Sequence, residues 1–370
     1  MMKKEILSVS APGRLCLFGE HQDYFGLPVL AAAIDLRIRV TGQRCPDKKL
    51  VLDLPDIGGR HDWPLGWNLD YSHKRDYLKS AVNILARKKI QLKSGWECRI
   101  SGEIPINSGT ASSSALQVAW VTFLLTAAGN PLADNPDAAA ELAFESEVAE
   151  FNEPGGKMDH YTSALGGVVS IHFSKKLRAR TLSPNLEEFV LADSMVRKNT
   201  TGTLGFIKSH VLSAVKKIRR KNPGFSLEES AIQEVEAAEK ELLPVEKRLL
   251  TGTLMTRDIT AEGEGLLQAE KMDHDYFGDL LCRQQKILRD YLRISSPRIN
   301  KMVETALEAG ALGAKINGSG EGGCIFAYCP GRAPEVAREL ENLNSRVYTV
   351  RVDQGVRWHK VQRNEKESLP

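Results

Sequence analysis

The segment Pro105-Ile-Asn-Ser-Gly-Thr-Ala-Ser-Ser-Ser-Ala115 constrains the fold more than any other. A strand signal, WECRISGEI, runs into it from Trp96, and an apolar run from Ala115 to Ala128 follows and ends at Gly129. The chain must pass from strand to helix through small residues and hydroxyls. At such a junction the first backbone N–H groups of the helix lack intrahelical partners. Together with the positive end of the helix dipole they suit an anion such as phosphate. Serine hydroxyls there can bond phosphate oxygens or reach a magnesium ion. A Ser-rich N-cap accounts for the same residues. A Walker-type loop does not, because no GxxxxGKS or GxxxxGKT occurs in the chain.

Other stretches set the fold class. Ser8–Val40 reads as strand, turn and strand, with Leu36, Ile38 and Val40 facing a core and Asp35, Arg37 and Arg39 facing away. Asn135-Pro136-Asp137 starts a helix that must stop before Pro154, and Gly166-Gly167 opens a strand, VVSIHF. Further strands (FVLADS, CIFAYC, VYTVRV) alternate with long amphipathic helices, one running from Ser296-Pro297 to Gly310. The interleaving has no regular βαβ rhythm, which favours α+β over a doubly wound sheet. At roughly 100–200 residues per domain, 370 residues suggest two domains. The polar stretch KKLRARTLSPN places the junction near 175–190, giving domains 1–185 and 186–370.

Charge and composition narrow the function. Fifty Lys+Arg against 47 Asp+Glu leave a net charge of +3, too little to hold the chain on nucleic acid or a membrane by charge. The basic run Lys216–Lys221 lacks interleaved aromatics, and Val215 and Ile218 fit a buried stripe, so it reads as a solvated helix face. No apolar run approaches a membrane span, and MMKKEILSVSAPGR lacks an apolar leader region; the expectation is a cytoplasmic protein, monomer or homodimer. Six scattered cysteines without a CxxC pair read as free thiols.

Three more segments carry polar groups suited to chemistry. Asn317-Gly-Ser-Gly-Glu-Gly-Gly323 allows a ligand close to the backbone, or makes a tight turn. In PGRLCLFGEHQDY, Glu20, His21 and Asp23 crowd a turn after an apolar strand, as an exposed polar turn or as a site for a polyhydroxylated ligand. In EVAEFNEPGGKMDH, Glu147 and Asp159 flank a Gly turn, where two carboxylates could serve as metal ligand and general base.

All four segments, in this order, resemble the GHMP family of small-molecule kinases, and within it the galactokinases. PGRLCLFGEHQDY is similar to the galactokinase signature, IPINSGTASSSALQVA to the family's phosphate loop and AKINGSGEGGCIFA to its third motif. The helix region GDLLCRQQKILRDYLRISSPRINKMV follows the same pattern, so the likeness spans about residues 8 to 330. It implies an α+β two-domain architecture, with an N-terminal ribosomal-protein-S5-like domain and a C-terminal ferredoxin-like α/β sandwich. It also implies ATP as co-substrate, Mg2+, and a monosaccharide acceptor phosphorylated at the anomeric hydroxyl.

By the same resemblance, Asp159 would be the catalytic base and Arg14 would stabilise charge on the transferring phosphate. Glu20, His21, Asp23 and Gly156 would contact the sugar. Ser108, Gly109, Ser112, Ser113 and Ser114 would wrap the ATP phosphates, with Gly318, Gly320 and Gly322 in support, and Ser113 and Glu147 would hold magnesium. Phosphoryl transfer needs positioning and charge neutralisation more than covalent help, which these groups can supply.

The departures concern the substrate. Asn107 stands where the loop usually has glycine, and Thr110-Ala111 replace its usual Leu-Ser. Lys157 replaces an apolar residue, and SMVRKNTTGTLGF lacks the tyrosine that packs on galactose. Lys157 or Arg197 could meet an anionic group, as on a uronic acid or a sugar phosphate; both also read as surface charge. Galactose, arabinose, an N-acetylhexosamine and a heptose are the neutral alternatives. A mevalonate-type kinase is disfavoured by Glu20-His21-x-Asp23, and a silent sugar and ATP sensor by the presence of Arg14, Ser113, Glu147 and Asp159 together.

Overall fold

The computed structural model describes residues 6–66, 68–106, 108–173, 177–196 and 200–359. Asn107 and Arg197 lie outside the described residues. The first half runs β1 (Ile6–Phe18), β2 (Val29–Cys45), β3 (Lys49–Leu54), β4 (Gly59–Pro64), α1 (Tyr77–Arg87), β5 (Gly95–Gly102), α2 (Ser112–Ala127), α3 (Pro136–Phe144), α4 (Met158–Leu165), β6 (Val168–His172) and β7 (Arg178–Leu182). The second half continues with β8 (Phe189–Asp193), α5 (Thr200–Arg219), α6 (Ile232–Ala237), α7 (Pro244–Leu267), α8 (His274–Ile287) and α9 (Pro297–Glu308). It closes with β9 (Gly313–Ile316), β10 (Cys324–Tyr328), α10 (Ala333–Asn342), β11 (Arg346–Val350) and β12 (Arg357–Trp358).

Two sheets result, in the α+β arrangement. The first has eight strands in the order β12-β1-β2-β5-β3-β4, with β6 pairing β2 and β7 pairing β6. The second has four, in the order β11-β8-β10-β9. The boundaries have local causes: Asn135 caps α3 through its side chain, Ser296 caps α9, and each helix has proline in its first turn. Val215 and Ile218 on α5 are buried while Lys216, Arg219 and Arg220 are exposed, as the solvated-face reading requires.

Strand β1 feeds both cores. Its register shifts at Pro12/Arg14 and at Cys16/Phe18, so Val9, Ala11 and Cys16 pack beneath the first sheet with α2. Leu15, Leu17 and Phe18 join the core around the second sheet. Phe18 meets Phe277 of α8 edge-on at 5.8 Å and packs on Gly263 of α7, where a Cβ would come within 2.8 Å of the ring. The halves are therefore joined by packing at the end of the strand that carries Arg14.

Two sequence expectations change. KKLRARTLSPN is not a bare linker: β7 lies within it and pairs antiparallel with β6, and the chain leaves the first sheet only after Leu182. Arg37 is buried, 7% exposed, while Leu36 is half exposed. The C-terminal segment crosses this strand and satisfies the guanidinium with the Gln354 and Gly355 carbonyls and Asp353. A period-2 pattern cannot reveal a cover supplied more than 300 positions later. All six cysteines are free and five are buried.

The halves are also joined by charge. The Lys315 ammonium on β9 binds Glu20, at the turn after β1, with both side chains 0% exposed. It donates as well to the Cys16 and Ile316 carbonyls at 3.0 and 3.1 Å. Removing one partner leaves a buried charge uncompensated. Lys315→Met is expected to lower stability by about 3–5 kcal/mol, read from the urea midpoint. Adding Glu20→Gln in the double variant should recover part of that loss.

Candidate active site

A cleft of about 240 Å³ opens between the ends of β1, α2 and α4 and the loop before β10. Its floor is Arg14, 4% exposed, at the first register shift of β1. The guanidinium donates from Nε to Asp159 Oδ1 at 2.8 Å and from Nη1 to the Gly109 carbonyl. Burial, the largest influence, lowers the Arg14 pKa, but the neighbouring groups, Asp159 first among them, together outweigh it and the net shift is upward. Asp159 keeps 29% of its side chain exposed to the cleft, on the first turn of α4.

The phosphate-loop segment is arranged for an anion. Ser112, Ser113 and Ser114 are the first three residues of α2, not its cap. The cap is Ala111, held at φ 60, with no side-chain hydrogen bond. That removes the Ser-rich N-cap reading: among the described residues no capping side chain takes the N–H groups that begin the helix. All three serines line the cleft, and the Ser112 and Ser113 hydroxyls make no side-chain hydrogen bond among the described residues. Gly109, at φ 92, lines it beside them.

Ser108 does not belong to that set. Its hydroxyl donates to the Pro105 carbonyl at 2.7 Å and pairs with Thr110 Oγ1 at 2.9 Å, so it braces the loop from inside. Thr110, one of the sequence departures, is buried there, and its carbonyl accepts from the Arg14 N–H at 3.1 Å. Of the third-motif glycines, Gly318 lines the cleft and presses on the Gly109 carbonyl, where a Cβ would lie 2.9 Å away. Gly320 packs on Ile294, and neither it nor Gly322 reaches the cleft.

Glu20, His21 and Asp23 all line one end, each in a different state. Glu20 gives Oε1 to Lys315, while Oε2 is buried without a partner; burial raises its pKa against the pull of Lys315. His21 lies at φ 63 with both ring nitrogens engaged. Its Nε2–H faces the Ser319 carbonyl at 3.2 Å, so Nδ1 accepts from the Tyr24 hydroxyl at 2.8 Å. This imidazole ties the turn to the third motif, a role its sequence position does not suggest. Asp23 accepts from the Tyr24 and Met158 N–H groups at 2.9 and 3.2 Å. Burial first, and then the Asp159 charge, raise its pKa to about 6. Gly156 exists to admit it: a Cβ there would stand 2.1 Å from Asp23 Oδ2.

Glu147 lines the cleft and accepts from His160 Nε2 at 2.7 Å. Glu147 and Ser113 are hard oxygen donors on the wall of one cleft, and that donor set fits magnesium. Among the described residues no group of three or more His, Cys, Asp or Glu side chains could hold a metal. Lys157 does not face the cleft: Glu141 takes its ammonium at 2.7 Å over the Phe144 ring.

Sequence reasoning passed over several residues. Asn317 is buried and donates to the Arg14 and Gly109 carbonyls while accepting from the Cys16 N–H at 2.9 Å, so it ties the third motif to both other segments. Its only signal was membership of the Gly-rich loop. Arg75, Tyr77 and Glu153 form a paired rim, and Thr201 and Leu204 of α5 face them; no motif marks these positions.

Three family models match the chain: the galactokinase galactose-binding signature over residues 2–44, the GHMP kinases N terminal domain over 76–167 and the GHMP kinases C terminal domain over 266–345. The chain belongs to the GHMP kinases. Members of this family are ATP-dependent kinases, and the chain is such an enzyme. Galactokinase from Mannheimia succiniciproducens is 26% identical over 351 residues, covering 90% of this chain and 88% of its own. Mevalonate kinase from Pyrococcus furiosus is also 26% identical, over 340 residues, covering 90% and 91%. Identity therefore does not separate the two activities. The Lactococcus lactis galactokinase, solved with galactose, shares the fold of this GHMP kinase at a TM-score of 0.82 and 22% identity, covering 95% of each chain. No helix among the described residues is long and apolar enough to cross a membrane.

Two outcomes follow from the crowding at Asp23. Gly156→Ala must displace its carboxylate, so the acceptor KM should rise about tenfold or more while the ATP KM holds within twofold. The charged form of Asp23 is present above pH 6 and lost below it. Acceptor kcat/KM should then fall about tenfold per pH unit once the pH drops below 6, measured at saturating ATP.

Proposed function

We propose that this GHMP kinase transfers the γ-phosphate of ATP to a hydroxyl of a neutral monosaccharide, galactose or a sugar of similar size, at the anomeric position. The observation that carries this reading is the charge of the acceptor end. Glu20, Asp23 and Asp159 meet there; Lys315 is taken by Glu20 and Arg14 by Asp159 and the Gly109 carbonyl, and Asp23 makes no ion pair among the described residues. Carboxylates accept hydrogen bonds from hydroxyls, which a sugar supplies in number. A substrate with its own carboxylate would meet like charge; at Asp23, whose pKa burial raises first, the Asp159 charge already adds to that rise. Lys157, the cation expected to offset it, is held by Glu141.

Each residue has a part in the proposed reaction. The uncapped start of α2, with Ser112, Ser113 and Ser114, holds the phosphates. Asp159 accepts the proton of the attacking hydroxyl, and Arg14 stabilises charge on the group in transit. Bound magnesium, held by Ser113 and Glu147, would neutralise charge on the β- and γ-phosphates. The galactose-binding signature match supports the sugar reading. The mevalonate kinase relatives support a second acceptor, mevalonate. A silent sensor is disfavoured because Arg14, Ser113, Glu147 and Asp159 all meet at one cleft.

ADP release measured across galactose, arabinose, N-acetylgalactosamine, heptoses, glucuronate and mevalonate tests the proposal. A neutral sugar should give the highest kcat/KM; turnover of mevalonate alone would refute it. With the best acceptor, Asp159→Asn should cut kcat about 10²–10⁴-fold and leave both substrates bound. Near-normal turnover would remove Asp159 as the base.

A further inference from the structure

Glu147 does not stand on a regular helix. Beyond Phe144, α3 widens into a π-turn over Glu145–Ala149, an irregularity frequent at functional sites. The turn is pinned from outside. The Ser80 hydroxyl of α1 donates to the Ser146 carbonyl at 2.7 Å, and the Ser146 hydroxyl donates to Gln117 Oε1 of α2 at 2.9 Å. The backbone that carries Glu147 is thereby tied to two neighbouring helices.

Its side chain is tied to a third. His160 of α4 donates from Nε2 to Glu147 Oε2 at 2.7 Å, and the two side chains are 2% and 8% exposed. The ring packs edge-on to Phe144 at 5.6 Å. Its Nδ1 is buried with no partner among the described residues, so the bond to Glu147 is the one that orients the imidazole. His160 directly follows Asp159, so consecutive residues at the start of α4 hold Arg14 on one side and Glu147 on the other.

A buried pair of this kind could do no more than join α3 to α4. Two facts give it a further role: its carboxylate lines the cleft, and the backbone beneath that carboxylate is irregular and separately braced. We propose that His160 is a positioning residue for the cation that accompanies ATP. Its Nε2–H fixes one Glu147 oxygen and leaves the other for magnesium. The inference rests on the reading of Glu147 as a cation ligand. Carboxylate ligands are generally held by such outer partners, whose loss costs about 10–100-fold in metal affinity.

Calorimetric titration of ATP into the enzyme, at a series of Mg2+ concentrations and in EDTA, separates the possibilities. His160→Phe keeps the ring shape but removes the donor. It should raise the Mg2+ concentration for half-maximal ATP affinity about tenfold or more. ATP affinity in EDTA should stay near wild type, while the thermal midpoint falls because the buried Glu147 oxygen loses its donor. His160→Gln restores a donor and should return the Mg2+ requirement to within about threefold of wild type. If the phenylalanine variant does not fold, His160→Leu makes the same deletion. A normal Mg2+ requirement in a folded donor-less variant overturns the proposal. Glu147→Gln serves as the control: if it too leaves the Mg2+ response unchanged, Glu147 is not a ligand and both readings fall. If Glu147→Gln weakens the response and His160→Phe does not, only the positioning role fails.

Discussion

The Arg14 guanidinium is the interaction on which the rest of the cleft depends. It reaches Asp159 on α4 and the Gly109 carbonyl in the loop before α2, and Gly318 of the third motif packs against it. Its own backbone N–H bonds the Thr110 carbonyl, and its carbonyl accepts from Asn317. Four segments far apart in the chain thus converge on one buried cation. A guanidinium suits that place because it presents several fixed donors and stays charged when buried. Burial opposes the charge, and the neighbouring groups, Asp159 first among them, together more than restore it.

Around that cation the site is over-supplied with acid. Burial, and then the Asp159 charge, raise the Asp23 pKa, and Glu20 keeps one oxygen unpartnered in the interior. The Glu20 oxygen has lost its hydration without gaining a donor, which costs stability unless a ligand supplies one. Under the proposed function, a polyhydroxylated acceptor would supply the missing donor. The same logic explains why the turn at Gly156 has no side chain: the space a Cβ would take is filled by the Asp23 carboxylate.

What was legible in the sequence was local. The strand-to-helix loop, the Gly turn before Asp159 and the crowding of Glu20, His21 and Asp23 are each contained within about a dozen residues. What was not legible depends on partners remote in the chain. Ser108 reads like its neighbouring serines until the strand β10 is seen to press on its carbonyl. Lys157 reads as a cation beside the site until Glu141, sixteen positions back, is seen to hold it. The Lys315–Glu20 pair joins residues 295 apart, and nothing in either local pattern points to the other. His160 and Glu147 are close in sequence, but neither local pattern shows the π-turn that carries Glu147 or the hydrogen bond between them.

Under the proposed function, a carboxylate-lined end and a buried arginine make this cleft a phosphoryl-transfer site for neutral polyols. A competition experiment tests it most directly: γ-labelled ATP, the enzyme, and equal concentrations of galactose and mevalonate in one vessel, with the labelled products separated after less than one turnover of the pool. The account predicts label in the sugar, at least about tenfold over mevalonate, the discrimination expected when a desolvated site pairs hydroxyls but repels a carboxylate. Label passing chiefly to mevalonate, or only to water, would contradict it.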